Sequence, residues 1–284
     1  MRRHREFFSE VYINMVAAGE AGGILDTILL RLAEYLEASE SLKRKVRGAM
    51  FYPITVMSFA FVAIAVLLIF VIPTFAGFSE SAGVALPMPT RIVMGLSDFL
   101  VGYWWAVGAV AMLAGYLLRT YRATPAGRLV TDRLLLRMPI LGAVLRKAAI
   151  ARFSRTLGTL VQSGVPILEG LEITARTAGN RVVEDAVLES RVSIAGGETI
   201  AEPLKKSGVF PPMVTQMINV GEQTGGLDEM LDKIADFYDD EVEAAVAALT
   251  SIIEPVMIVF LGVIVGGMVV AMYLPIFDII QTVE

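Results

Sequence analysis

Cysteine is absent from this 284-residue sequence, and histidine occurs once, as His4. The absence of cysteine excludes disulfides, thiolate metal sites and cysteine nucleophiles. A single histidine near the N-terminus excludes histidine-based zinc clusters and argues against a Ser-His-Asp triad. These absences exclude cysteine-based catalysis and cysteine- or histidine-based metal sites, and no catalytic residue, cofactor or metal ligand is assigned from the sequence.

Charged residues are also few, at 19% of the chain. The net charge is −5, which is too weak to indicate a nucleic-acid partner. The basic N-terminus, MRRHREFFSEVYINM, lacks the apolar core of a secretory signal peptide. Hydrophobic residues, in contrast, make up 55% of the chain, above the roughly 45–50% of soluble domains. This excess indicates membrane segments.

Three runs are long and apolar enough to cross a membrane, which takes roughly 20 residues. They are Ile54–Pro73, Leu100–Leu118 and Ile252–Leu274. We place the transmembrane helices at residues 51–75, 100–118 and 251–275.

The distribution of lysine and arginine predicts the orientation of these spans. Residues 1–50 carry eight such residues and residues 119–250 carry fifteen, whereas residues 76–99 carry one and residues 275–284 carry none. The positive-inside rule places the two basic segments in the cytoplasm. The loop 76–99 and the tail 276–284 are then predicted to lie on the other side.

One phrase occurs twice, as MVAAGEAGGILD (Met15–Asp26) and as MINVGEQTGGLD (Met217–Asp228), 202 positions apart. The correspondence continues without a gap through prolines at both ends of the first and third spans. These span-marking prolines are Pro53, Pro73, Pro255 and Pro275. The chain therefore contains a duplicated unit, in which cytoplasmic helices lead into a transmembrane helix.

The two copies differ in length. Residues 149–209 precede Phe210 in the second copy, whereas only seven residues precede its counterpart Phe8. The first copy is therefore expected to be shortened at its N-terminus. An apolar face built to pack on the absent helices would be exposed, and residues 1–45 would fray or pair with another chain.

The cytoplasmic segment predicts a helical bundle. Apolar residues recur at helical spacing between glycine turns at Gly164, Gly179 and Gly196, and no strand pattern is present. About six helices are expected across residues 145–250. The fold class is therefore an all-α integral membrane protein with three transmembrane helices and two cytoplasmic bundles, the second complete and the first partial.

The repeated glycine phrase is interpreted as the turn of a helical hairpin. Gly19 and Gly221 are predicted to end one helix, and the glycines after them form the turn. A phosphate loop is excluded because the lysine and hydroxyl of a P-loop are missing. A turn that also contacts a partner is the alternative. The residues of this motif are Gly19, Glu20, Gly23, Asp26, Gly221, Glu222, Gly225 and Asp228.

An acidic run precedes the third span. Its members share one helical face, and they are Asp232, Asp236, Asp239, Asp240 and Glu243. A solvated face is the favoured interpretation, with a protein-contact face and a divalent-cation site as alternatives. The first copy carries Lys43, Arg44 and Lys45 in the corresponding region, and these basic residues could pair with the acidic run within or between chains.

Glu254 is the only ionisable residue inside the predicted spans. A charge within a membrane is a functional candidate by default. Because Glu254 lies within a turn of the cytoplasmic boundary, a carboxylate that reaches the interface is favoured over a contact with another span or a partner. The span prolines are interpreted as helix boundaries, with a hinge at Pro255 as the alternative.

Several of these motifs together resemble one protein family. They are the GE-x-x-G-x-L-D hairpin in both copies, SGVPILEGLEITARTAGN, KVRGAMFYP at the entry to a span, and AMYLPIF at the end of another. The sequence resembles the F-domain family of inner-membrane platform proteins of type II secretion systems and type IV pili. It looks most like the pilus-assembly members, and it departs from the family by lacking most of the first F domain.

The resemblance implies a non-enzymatic platform in the bacterial inner membrane with a cytoplasmic N-terminus and a periplasmic C-terminus. The implied partners are the hexameric pilus assembly and retraction ATPases, major and minor pilins, inner-membrane alignment proteins and membrane lipid, with a homodimer or higher oligomer. The equivalent secretion platform is the alternative. A transporter would need more polar groups in its spans, and a prepilin peptidase would need two membrane aspartates.

Overall fold

The computed structural model describes residues 10–23, 25–81 and 87–283. Their backbone is helical between short turns and contains no strand, and three helices are long and apolar enough to cross a membrane. The prediction of an all-α membrane protein is therefore confirmed. The residues outside these ranges include His4 and Phe8.

The helices are, in chain order, α1 (Glu10–Gly22), α2 (Leu25–Val66), α3 (Ile72–Ser81), α4 (Met88–Ala123), α5 (Pro125–Arg137), α6 (Leu141–Gln162), α7 (Ile167–Thr177), α8 (Arg181–Ala195), α9 (Ala201–Lys206), α10 (Pro212–Thr224) and α11 (Leu227–Val283). A π-helical segment, Leu67–Val71, joins α2 to α3. Helices α6 to α11 correspond to the six predicted helices, and α5 is an additional helix.

The chain divides into two compact units. Unit 1 comprises Met1–Arg47 and Arg122–Leu249, and unit 2 comprises Gly48–Tyr121 and Thr250–Glu284. Helices α2, α4 and α11 contribute residues to both units.

The core of unit 1 is built from the apolar faces of α6 to α11. Its fully buried side chains include Phe153, Leu171, Leu204 and Leu231, and the rings of Phe153 and Phe210 lie 4.7 Å apart. Each such side chain contributes about 1.5–3 kcal/mol when it is fully buried. This core fixes the positions of the helices that carry the second glycine motif.

The first-copy helices pack on the second copy within unit 1. Val11, Met15, Ile28 and Leu32 are buried together with residues of α6, α7 and the turn between them, which are Leu160, Ile173 and Val165. The hairpin of α1 and α2 therefore has a partner within the chain, which differs from the expectation that residues 1–45 fray or pair with another chain.

The two copies bury different faces. Leu231 is 0% exposed and Tyr238 is 6% exposed, whereas their first-copy counterparts Leu29 and Leu36 are 43% and 42% exposed. Part of the face of α2 that corresponds to the core face of α11 is therefore exposed, although Leu32, the counterpart of Ile234, is buried.

Unit 2 holds its helices together with apolar contacts and two hydroxyl hydrogen bonds. Leu68, Ile72 and Met268 form a small buried cluster. Thr90 Oγ1 donates to the carbonyl of Ala271 at 2.6 Å, and the hydroxyl of Ser97 donates to the carbonyl of Leu68. A hydroxyl that satisfies a carbonyl on another helix is a common device in apolar surroundings.

The helices that carry the candidate spans are longer than predicted. They are Leu25–Phe75, Val101–Ala123 and Leu227–Pro275, and the predicted segments 51–75 and 251–275 are their most apolar parts. Within α4, Tyr103 has non-helical φ and ψ angles of −121° and 18°. The second span therefore begins next to a break in its helix.

The prediction that residues 76–99 form a loop is wrong for most of the described part, residues 76–81 and 87–99. Helix α3 continues to Ser81 and α4 begins at Met88. Thr90 and Ser97, with Val93 and Met94 between them, recur at helical spacing and face the cluster of unit 2. This periodicity gives the segment a helical face to bury. The predicted tail 276–284 is likewise helical as far as Val283.

The interpretation of the span prolines as helix boundaries is also wrong. Pro53 lies inside α2, and Pro255 and Pro275 lie inside α11. Pro73 directly follows the first residue of α3, next to the π-helical segment, and lies inside a backbone that stays helical from Leu25 to Ser81. An interior proline removes one helical hydrogen bond but does not have to end a helix when its neighbours remain packed.

Candidate functional site

The glycine motif forms a tight turn in both copies. Gly225 follows the last residue of α10 with a φ angle of +77°, and Gly23 follows α1 with a φ angle of +69°. Glycine adopts this left-handed conformation without the strain that a Cβ would cause. Asp228 and Asp26 lie in the first turns of α11 and α2, where a carboxylate favours the positive end of the helix.

The prediction that Gly221 and Gly19 end their helices is wrong. Each glycine lies about one turn before the end of its helix. Both are buried. A Cβ on Gly221 would lie 2.8 Å from the Cα of Leu227, and one on Gly19 would lie 2.8 Å from Cγ1 of Ile28. The two glycines therefore let the arms of each hairpin approach closely.

The glutamates that follow these glycines differ between the copies. Glu222 is half-buried, and the backbone N–H of Ile200 donates to both of its carboxylate oxygens, at 3.0 and 2.9 Å. The carboxylate of Glu222 therefore binds the start of α9 within the bundle. Glu20 is exposed.

Replacing Glu222 with alanine is expected to lower the free energy of unfolding by about 1 kcal/mol, because the start of α9 loses its acceptor. Glu20→Ala is the matched control and should change this free energy by less than about 0.5 kcal/mol. Thermal unfolding followed by circular dichroism in detergent measures both. Equal effects of the two variants would show that the bond to Ile200 contributes nothing.

Several carboxylates on the acidic face of α11 form ion pairs with basic side chains of unit 1. The guanidinium of Arg155, on α6, donates to Asp236 at 2.7 Å and to Asp239 at 2.9 Å. Burial alone would lower the pKa of Arg155, but these hydrogen bonds outweigh it and raise that pKa. The favoured interpretation of a solvated face therefore fails at Asp239, which is 29% exposed, whereas the side chain of Asp236 is 71% exposed.

The two ends of the acidic face have different surroundings. Asp232 is half-buried, and burial raises the pKa of its carboxyl group. Glu243, at the other end, pairs with Lys45 of α2, which raises the pKa of that lysine through a hydrogen bond. Asp240 is exposed and has no ion-pair partner among the described residues.

A cation site on this face has no support from the geometry. Within residues 10–23, 25–81 and 87–283, no three acidic or histidine side chains converge in a way that could hold a metal ion. Glu254 lies farther along α11 and is exposed on the surface of the helix, one residue before Pro255.

A buried carboxylate with two nearby arginines lies outside the acidic face, and the sequence does not predict it. The carboxylate of Asp132, on α5, is buried and accepts from the backbone N–H of Arg181 at 2.9 Å. Arg122 lies 3.3 Å and Arg128 lies 3.9 Å from this carboxylate. The group joins the end of α4 to the start of α8, and its members are too scattered along the chain to form a motif.

Comparison with known proteins gives a consistent result along the chain. Residues 1–73 and 153–275 match the family Type II secretion system (T2SS), protein F. The chain is 50% identical to the type IV pilus assembly protein PilC of Myxococcus xanthus, over 100% of this chain and 68% of that protein.

Two relatives from Pseudomonas aeruginosa cover both branches of the family. Its type IV pilus assembly protein PilC is 40% identical over 98% of this chain and 75% of its own length. Its type II secretion system protein F is 35% identical over 98% of this chain and 70% of its own length. Because the family match covers more than half of the chain and full-length identity reaches 50%, the chain belongs to the type II secretion system protein F family of pilus and secretion platform proteins.

Proposed function

We propose that this protein is a non-enzymatic platform for type IV pilus assembly in the bacterial inner membrane. It couples a hexameric cytoplasmic ATPase to the insertion or removal of pilin subunits. The observation that carries this proposal is the 50% identity, over the whole chain, to a protein named for type IV pilus assembly. Residues 1–50 and 119–250 lie in the cytoplasm, and the C-terminus lies in the periplasm.

The continuity of α11 supports a coupling role. This helix runs from Leu227 to Val283 and carries both the acidic face and an apolar stretch long enough to cross the membrane. An unbroken helix can pass a displacement of its cytoplasmic part to its membrane part. The ion pairs of Arg155 with Asp236 and Asp239 tie the cytoplasmic part of α11 to α6.

The alternative function is the equivalent platform of a type II secretion system. The 35% identity to a type II secretion system protein F over 98% of this chain favours it. Deletion of the gene separates the two functions: loss of surface pili with normal enzyme secretion supports the pilus platform, and the reverse result supports the secretion platform. Prepilin cleavage or ATP hydrolysis by the purified protein would contradict both.

Two exposed acidic residues are the best candidates for contact with a protein partner. Glu20 and Asp240 have no hydrogen bond and no ion pair within 4.0 Å among the described residues, in contrast to Glu222, Asp239 and Glu243, although Asp240 also attracts Lys45 at longer range. An unpaired surface carboxylate remains available to a basic surface of an ATPase. A homodimer or higher oligomer, contacts with alignment proteins and contacts with pilins belong to the same proposal.

Reversing the charge of both candidates, as Glu20→Lys with Asp240→Lys, is expected to reduce surface piliation about 10-fold or more, because like charges at an interface weaken association. Glu189→Lys is the control, since Glu189 is exposed on α8 and has no ion pair in the described structure. Electron microscopy of complemented deletion strains measures pili, and immunoblots confirm equal amounts of protein. Normal piliation in the double variant would exclude these carboxylates as partner contacts.

A further inference from the structure

A cavity of about 320 Å³ lies within unit 1, between the end of α5, the start of α6 and α11. Its apolar walls are Leu136, Ile150 and Pro211, and its polar lining includes Arg146, Lys147 and Tyr238. Small-molecule sites in proteins occupy roughly 300–1,000 Å³ and combine apolar walls with a few polar groups. The cavity therefore has the size and the lining of a site for a small ligand.

The turn before α6 leaves a backbone donor at this cavity. Ile140 has a φ angle of +66°, and the N–H of Leu141 donates to the carbonyl of Pro139 at 2.7 Å. This γ-turn is a strained conformation for a β-branched residue. It occupies the carbonyl that Ala143 would otherwise use, and the N–H of Ala143, which lines the cavity, has no acceptor among the described residues.

The charge of the cavity is positive. Lys147 pairs with Glu241 at 2.6 Å, but Arg146 is exposed and has no ion-pair partner in the described parts of the chain. The first turn of α6 carries no acidic residue. The positive end of a helix normally attracts acidic rather than basic side chains. Arg146 and the start of α6 therefore form an uncompensated positive region beside the cavity.

Tyr238 adds a hydrogen-bond donor to the lining of the cavity. Its side chain is only 6% exposed, it lines the cavity, and its hydroxyl has no hydrogen-bond partner among the described residues. Burial raises the pKa of Tyr238, and nearby Glu241 acts in the same direction, so the phenol remains a donor at neutral pH. The hydroxyl oxygen is not among the fully buried atoms without a partner, so it is accessible from the cavity and can donate to water or to a bound acceptor.

We propose that this cavity binds the phosphoryl group of a small organic phosphate ester. Arg146 supplies the charge that matches a phosphate, and the Tyr238 hydroxyl and the free N–H of Ala143 supply hydrogen bonds. The walls formed by Leu136, Ile150 and Pro211 contact the apolar part of the ester. A soluble nucleotide and a phospholipid headgroup both carry this chemistry.

Titration calorimetry of the full chain in nanodiscs tests the site with two soluble probes, inorganic phosphate and AMP. Wild-type protein is expected to bind AMP saturably and more tightly than phosphate. Arg146→Ala should weaken AMP binding about 10-fold, the effect of one charge-assisted hydrogen bond. Tyr238→Phe, which keeps the buried ring, should weaken it about 5-fold. Arg133→Ala, at an exposed arginine of α5 outside the cavity, should bind like the wild type.

A second arm distinguishes the source of the phosphoryl group. Nanodiscs of phosphatidylcholine are compared with nanodiscs that also contain phosphatidylglycerol. Loss of AMP binding in the second set, with the same loss in the Arg133→Ala control, assigns the site to a lipid headgroup, and unchanged AMP binding assigns it to a soluble ester. The proposal is overturned if wild-type protein binds neither probe, or if Arg146→Ala and Tyr238→Phe leave the affinity for AMP unchanged.

Discussion

Gly221→Ala is expected to lower the free energy of unfolding by about 2 kcal/mol, although alanine is normally the better helix former by about 0.5–1 kcal/mol. The new Cβ would lie 2.8 Å from the Cα of Leu227 and 3.2 Å from the carbonyl oxygen of Gly226. Both contacts are backbone atoms, which cannot rotate away. Relief therefore requires α10 and α11 to separate, and this separation disturbs the buried side chain of Leu231.

Gly48→Ala is the matched control for this prediction. Gly48 also lies inside a helix, α2, but a Cβ at this position meets no atom within 4 Å. This variant should gain the helical preference of alanine, about 0.5–1 kcal/mol. Thermal unfolding of both variants in detergent should therefore give shifts of opposite sign. Stabilisation by Gly221→Ala would contradict the close approach of the hairpin arms.

The hairpin turns could be predicted from the sequence because their causes are local. A left-handed glycine, an acidic residue in the next helical turn and an apolar residue at each period are all encoded within about a dozen positions. The second copy repeats the same pattern around Gly225. The role of Gly221 was missed because a close approach between helices depends on both arms of the hairpin.

The partners of the acidic face could not be predicted in the same way. Asp236 and Asp239 are 81 and 84 residues from Arg155, and no spacing rule connects α11 to α6. The helical period shows which residues share a face, but packing decides what that face meets. The difference between Glu20 and Glu222 has the same origin, because the partner of Glu222 belongs to α9.

The helical segment before the second span was missed for a different reason. The sequence of residues 76–99 gives conflicting signals, because glycine and proline favour a loop whereas the apolar residues among them can form a helical face. Thr90 and Ser97 lie two helical turns apart, and this spacing was the available signal. Its significance depends on Leu68 and Ala271, whose carbonyls accept from these two hydroxyls.

Arg155→Met is expected to lower the free energy of unfolding by about 2 kcal/mol at neutral pH. The side chain of Arg155 is 20% exposed, and those of Asp239 and Asp236 are 29% and 71% exposed. The pair with Asp236 is screened by water and contributes little. Most of the loss in the free energy of unfolding arises at Asp239, because its half-buried carboxylate would stay charged without an ion-pair partner. Methionine retains the apolar contacts of the arginine stem.

The loss caused by Arg155→Met should become smaller at low pH. Burial already raises the pKa of Asp232, and Arg155 acts against this rise, so its removal raises that pKa further. A carboxyl group with a raised pKa binds more protons in the folded state, and stability then falls as the pH rises above the unfolded value near 3.8. Chemical denaturation at pH 5 and pH 7 should therefore show a smaller difference from wild type at pH 5. Arg133→Met, which removes an exposed arginine, controls for the loss of a positive charge. An equal loss of unfolding free energy in Arg155→Met at both pH values would show that carboxylates near Arg155 are not responsible.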